Sequence, residues 1–139
     1  MFAKIYVFRV MPKEELMKSI EKYCQKNRIT SGIIIGIIGS LERLKLSFLK
    51  ELPGKYITKE CKGPLEIVNC QGSIAKLIPD NKTVLHIHMT ASNEKETVSG
   101  HLSEGIIFST AEVVIGELDY QLKRKKDDHT GLNELIERD

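Results

Sequence analysis

The sequence has few cysteines, little net charge and no long apolar run, and each shortage removes a class of protein. Cys24, Cys61 and Cys70 are odd in number and form no Cys-x-x-Cys pair. Neither a disulfide framework nor a thiolate zinc site is therefore expected, and the thiols should be reduced and partly buried. The 21 Lys and Arg nearly balance the 19 Asp and Glu, leaving a formal charge of +2. Bulk electrostatics of that size do not make a dedicated nucleic-acid or membrane-surface binder, so DNA binding is expected to be weak. The longest apolar stretch, Gly32 to Gly39 (GIIIGIIG), is far short of the roughly 20 residues a membrane-spanning helix needs. The opening MFAKIYVFRV has an early arginine and no small-residue cleavage site; it reads as a strand and not as a signal peptide, and a cytoplasmic location is the expectation. There is no GxGxxG, Walker loop, GxSxG or Cys–His signature. Internal repeats, low-complexity tracts and linkers are missing as well.

What is present suits one folded domain. The 139 residues, 41% hydrophobic and 29% charged, are enough to bury a core without staples. Phe2 to Val10 is apolar on both alternating faces, the pattern of a central strand. From Pro12 to about Asn27 the period becomes helical through Leu16, Met17, Ile20, Tyr23 and Cys24, with Glu14 and Glu15 placed to complement the N-terminal dipole. Thr30 to Ser40 is β-branched, and its glycines suggest a strand whose backbone a neighbour approaches closely. Leu44, Leu46 and Phe48 alternate with polar residues as in a half-buried strand. Short strands are expected at Tyr56–Cys61, Leu65–Cys70, Ser73–Ile78, Thr83–Ala91 and Thr110–Tyr120, separated by Gly63-Pro64, Gly72, Pro79-Asp80-Asn81 and Ser92-Asn93. The fold class is α+β: a mostly antiparallel sheet with one main helix packed on it. Residues 1–122 form the domain, and 123–139 form a charged tail, read as a frayed helix or as an arm that docks on a neighbour.

Three of the four histidines cluster. His86 and His88 lie two apart within the apolar run Val84–Met89, so they share one strand face while Leu85, Ile87 and Met89 take the other. Their Cα atoms are then roughly 6.5 Å apart, close enough for two imidazoles to converge on one ion. A hairpin through Ser92-Asn93-Glu94 would return His101 as a third nitrogen, the set that leaves zinc an open position. Metal affinity would then fall below about pH 6.5, where reference histidines protonate. The same pattern also fits three polar residues on a solvated face, with His101 beside a glycine turn. Glu66 reads as a strand-edge carboxylate in water. Glu112 interrupts an apolar run, and if buried it needs a partner. Arg9 suits an ion pair with a neighbouring carboxylate, or an anion. Lys123-Arg124-Lys125-Lys126 is offset by Asp127-Asp128 and reads as solvated.

Taken in order, Arg9 in the opening strand, GIIIGIIGS at Gly32–Ser40, GPLEIVNCQG at Gly63–Gly72, His86-Ile87-His88, Gly100-His101-Leu102 and Ala111–Ile115 resemble the plants and prokaryotes conserved (PPC) family over nearly the whole chain. The resemblance implies a stand-alone prokaryotic member assembled as a homotrimer. In plants such domains accompany AT-hooks; no Arg-Gly-Arg-Pro core occurs here, which removes the strongest warrant for DNA binding. The family also resembles acetolactate decarboxylase in fold, an enzyme that holds zinc through histidines, and this favours a metal at His86, His88 and His101. Three functions follow as expectations. The first is a homotrimeric metal-binding protein with a regulatory role; the second is a zinc-dependent enzyme acting on a small carbonyl-containing substrate. The third is a DNA-associated protein making weak multivalent contacts.

Overall fold

The computed structural model describes residues 1–137, so the last two residues of the tail lie outside it. Its elements run β1 (Phe2–Val10), α1 (Leu16–Asn27), β2 (Gly32–Glu51), β3 (Lys55–Leu77), β4 (Lys82–Ser92), β5 (Thr97–Leu118), β6 (Lys123–Lys126) and β7 (Asn133–Leu135). All the strands belong to one sheet in the order β1-β5-β2-β3-β6-β7, with β4 paired to both β3 and β5. Because β5 also pairs with β2, and β2 with β3, the ladder closes into a ring. Every pairing is antiparallel except that of β3 with β6.

The helix starts later than Pro12. Lys13 takes a left-handed φ of 73° and turns the chain, and Glu15 then caps the first turn, its carboxylate accepting from the backbone N–H of Met17 at 2.8 Å and of Lys18 at 3.1 Å. Leu16, Ile20 and Cys24 form the buried stripe of α1. They pack with Ile34, Leu41, Leu44, Ile74, Ile87 and Leu102 from the inner face of the sheet. All three cysteines are fully buried in this core. Burial pushes the Cys24 thiol up to about 11 and Cys70 up to about 12, so both stay protonated and inert.

The expected short strands are joined. β2 runs through both the glycine-rich stretch and Leu44–Phe48, and β3 runs through Gly63-Pro64 and Gly72 without a break. These glycines bend the chain and do not end it. A Cβ at Gly63 would strike the Leu41 carbonyl, and one at Gly72 the His86 carbonyl, so both mark close backbone approaches. The nearby register shift between Leu41 and Arg43 adds curvature. Among the described residues the tail forms strands and no helix: β6 pairs with β3 of its own chain and β7 folds back on β6.

One sheet face remains uncovered. Arg9, Glu112 and Ile38 form one row across β1, β5 and β2, and Val7, Val114 and Gly36 the next. Val7 is 67% exposed and Ile38 69%. Among the described residues no helix is long and apolar enough to cross a membrane.

Candidate metal centre

Strand alternation and register bring the three histidines together. On β4, Ile87 and Met89 point into the core at 0% and 2% exposure, which turns His86 and His88 outward. The turn at residues 93–96 returns the chain, and His101 on β5 lies directly opposite His88. Asn93 holds that turn, its side-chain oxygen accepting from the N–H groups of Lys95 and Glu96. His86 and His88 approach Nε2 to Nε2 at 3.2 Å, and one ring nitrogen from each of the three lies within 4.8 Å of the others.

The set fits a transition-metal ion. Two nitrogens bound tetrahedrally at about 2.0–2.1 Å stand about 3.3–3.4 Å from each other, close to the observed approach of His86 and His88. Imidazole must be neutral to coordinate. Burial, then Arg124, His101 and His88 push His86 down to about 4, against an opposing pull from Glu134. Burial and His88 lower His101 in the same sense. His86 is thus unprotonated well below the reference value of about 6.5, and proton competition there begins lower than the sequence suggested.

A fourth member of this cluster, Arg124 on β6, is not among the residues expected there. Hidden among lysines in a run that looked solvated, it is only 9% exposed. Its Nη2 donates to Ser73 Oγ at 3.0 Å and faces His86 Nδ1 at 3.2 Å, while Nη1 donates to the Asn133 carbonyl at 3.0 Å. The one usable signal was the choice of arginine among lysines, since a planar fork of donors suits buried polar partners. A guanidinium only donates, so His86 Nδ1 accepts and the neutral ring carries its proton on Nε2, directed at His88. Coordination through His86 Nε2 therefore requires that proton to move to Nδ1 and the Arg124 contact to open. Arg124 Nε has no acceptor among the described residues, and a buried donor left unpaired costs about 1–3 kcal/mol. A cavity of about 560 Å³ lies against His86, His101 and Arg124, with Tyr56, Leu85 and Glu134 on its other walls.

The remaining candidates lie elsewhere. Among the described residues Arg9 forms no ion pair; its Nε donates to Thr110 Oγ1 at 2.9 Å. Glu112 is exposed on the uncovered face and not buried in the run that contains it. Glu66 is exposed too, but its strand is interior, with Ser40 and Ser92 on either side of it.

Comparison with known proteins identifies the family and the fold. The sequence profile of the Plants and Prokaryotes Conserved (PCC) domain, the family abbreviated PPC above, matches residues 2–119. Two Synechococcus proteins, both named Bifunctional protein GlmU, are 32% and 30% identical over 135 residues; the chain spans about a fifth of their length. A metal-containing protein from Archaeoglobus fulgidus has a TM-score of 0.88 at 25% identity, covering 99% of this chain and 96% of its own. A PPC protein from Pyrococcus horikoshii gives 0.88 at 28%, covering 100% and 95%. A candidate DNA-binding protein from Bacteroides thetaiotaomicron gives 0.88 at 25%, covering 98% and 94%.

Proposed function

The chain belongs to the Plants and Prokaryotes Conserved domain family, and on that premise we propose that it is a homotrimeric protein in which His86, His88 and His101 hold one zinc ion, serving a regulatory or DNA-associated role. The convergence of three imidazole nitrogens within 4.8 Å carries this reading. Three neutral donors without a thiolate suit zinc with one position left open. The similar metal-containing protein from Archaeoglobus fulgidus supports it. The exposed face that carries Val7 and Ile38 in adjoining rows supports self-association, since such a face is normally covered by a partner.

For DNA the support is a resemblance to the candidate DNA-binding protein of Bacteroides thetaiotaomicron. The basic run offers less than its sequence promised, because Arg124 turns inward and leaves three lysines against Asp127 and Asp128. Any such role therefore rests on several weak contacts at once.

The cavity favours a second reading, a zinc-dependent enzyme acting on a small carbonyl-containing substrate. A bound zinc would supply Lewis-acid polarisation of a carbonyl oxygen or an acidified water. The residues of the chain would orient the substrate: Arg124 by charge, Tyr56 and Leu85 by enclosing it. The primary test is metal content per chain for wild type and His88→Ala prepared identically. Wild type should retain close to one ion and the variant little, with the fold intact because Ile87 and Met89 still fill the core. Equal retention would remove the metal reading.

A further inference from the structure

Among the described residues Arg124 is a buried cation with no carboxylate in direct contact. It is 9% exposed, its hydrogen-bond partners are a serine hydroxyl, a backbone carbonyl and a neutral ring nitrogen, and its Nε has none. No carboxylate among the described residues lies within ion-pair distance of it; Glu134, in the same cavity wall, acts on it only through space. A buried charge ordinarily sits against an opposite one. Arg124 lines an open cavity of about 560 Å³.

We propose that this cavity binds a small organic monocarboxylate, anchored by the guanidinium of Arg124 beside the histidine cluster. The inference deepens the metal-site reading and rests on it for the neighbouring ion. The volume is that of a small-molecule site, and a planar guanidinium matches a carboxylate in both charge and geometry. The walls argue for an organic ligand over inorganic phosphate: Val84, Leu85 and Leu132 are apolar, and the Glu134 carboxylate disfavours a second negative charge. Arg124 Nη2 stands 3.2 Å from His86 Nδ1, so a carboxylate held by the guanidinium would lie beside the histidine cluster.

The test is titration calorimetry of the full chain with lactate and with inorganic phosphate, metal content being measured on every sample. Wild type is expected to bind lactate in preference to phosphate. Arg124→Gln should weaken lactate about tenfold or more, as loss of a charged hydrogen bond does, and Arg124→Lys less, since it keeps the charge and loses the fork. Glu134→Gln should move affinity the other way, tightening lactate by about threefold. Glu134→Gln tests whether the anion sits in this cavity, and Arg124→Lys, which keeps the charge, tests the anchor if Arg124→Gln fails to fold. Lactate affinity indifferent to both residues, or preference for phosphate, overturns the proposal. Binding that depends on Arg124 in a chain retaining no metal leaves this inference standing and sinks the zinc reading; metal retained without such dependence does the reverse.

Discussion

At His86 every strong influence except one opposes protonation: burial first, then Arg124, His101 and His88, with Glu134 alone pulling the other way. The folded value of about 4 lies below the unfolded one of about 6.5. Between these two pH values the unfolded chain binds a proton that the folded chain refuses. Stability from this source is therefore complete above about pH 6.5 and is lost as pH falls toward 4. Urea unfolding of chelator-treated protein from pH 7.5 to 4.5 should show a falling midpoint in wild type and a shallower fall in His86→Gln. Identical slopes would mean that His86 is not the group responsible. The histidines were legible in the sequence because a strand period of two and a short hairpin fix their faces. Arg124 was not, because its burial depends on β6 docking beside β3, a parallel pairing that no local pattern announces.

At the scale of elements, the glycines of β2 separate into two kinds that the sequence presents alike. A Cβ at Gly39 would collide with the Thr110 carbonyl and the Ala111 Cα, whereas one at Gly36 meets nothing within 4 Å. The expectation of close backbone approach thus holds for Gly39 and for Gly32, where a Cβ would stand 2.8 Å from the Gly116 carbonyl oxygen, and fails for Gly36. Gly39→Ala must push β2 away from β5 and should cost about 1–3 kcal/mol. Gly36→Ala should cost far less, and thermal melts of the two variants side by side check the contrast. Comparable losses would show that the glycines act through the unfolded chain and not through packing. The strands are fewer and longer than the pattern predicts for the same reason. Glycine and proline read as stops, yet at Gly63, Pro64 and Gly72 they lie within one long strand, β3, where the two glycines pass close to neighbouring backbone.

For the whole molecule, the uncovered face should set the assembly. Val7 and Ile38 stand exposed in adjoining rows that also hold Arg9 and Glu112. Light scattering should give about three chains per particle. Ile38→Glu, which places a charge in that face without touching the core, should shift the particle toward one chain; a wild-type monomer at micromolar concentration removes the trimer. The ring of strands also divides the molecule by distance along the chain. His86, His88 and His101 belong to one hairpin, while the β2–β5 ladder joins Ile34 to Ile115 and Arg124 arrives only when β6 docks. Loop closure is less costly for the hairpin than for the ladder. A chain that has formed only that hairpin, however fleetingly, already presents three nitrogens to an ion. A metal held at these histidines would thus also have some affinity for the unfolded ensemble, and its contribution to stability would be the difference between two affinities, smaller than the tightness of the finished site alone would indicate.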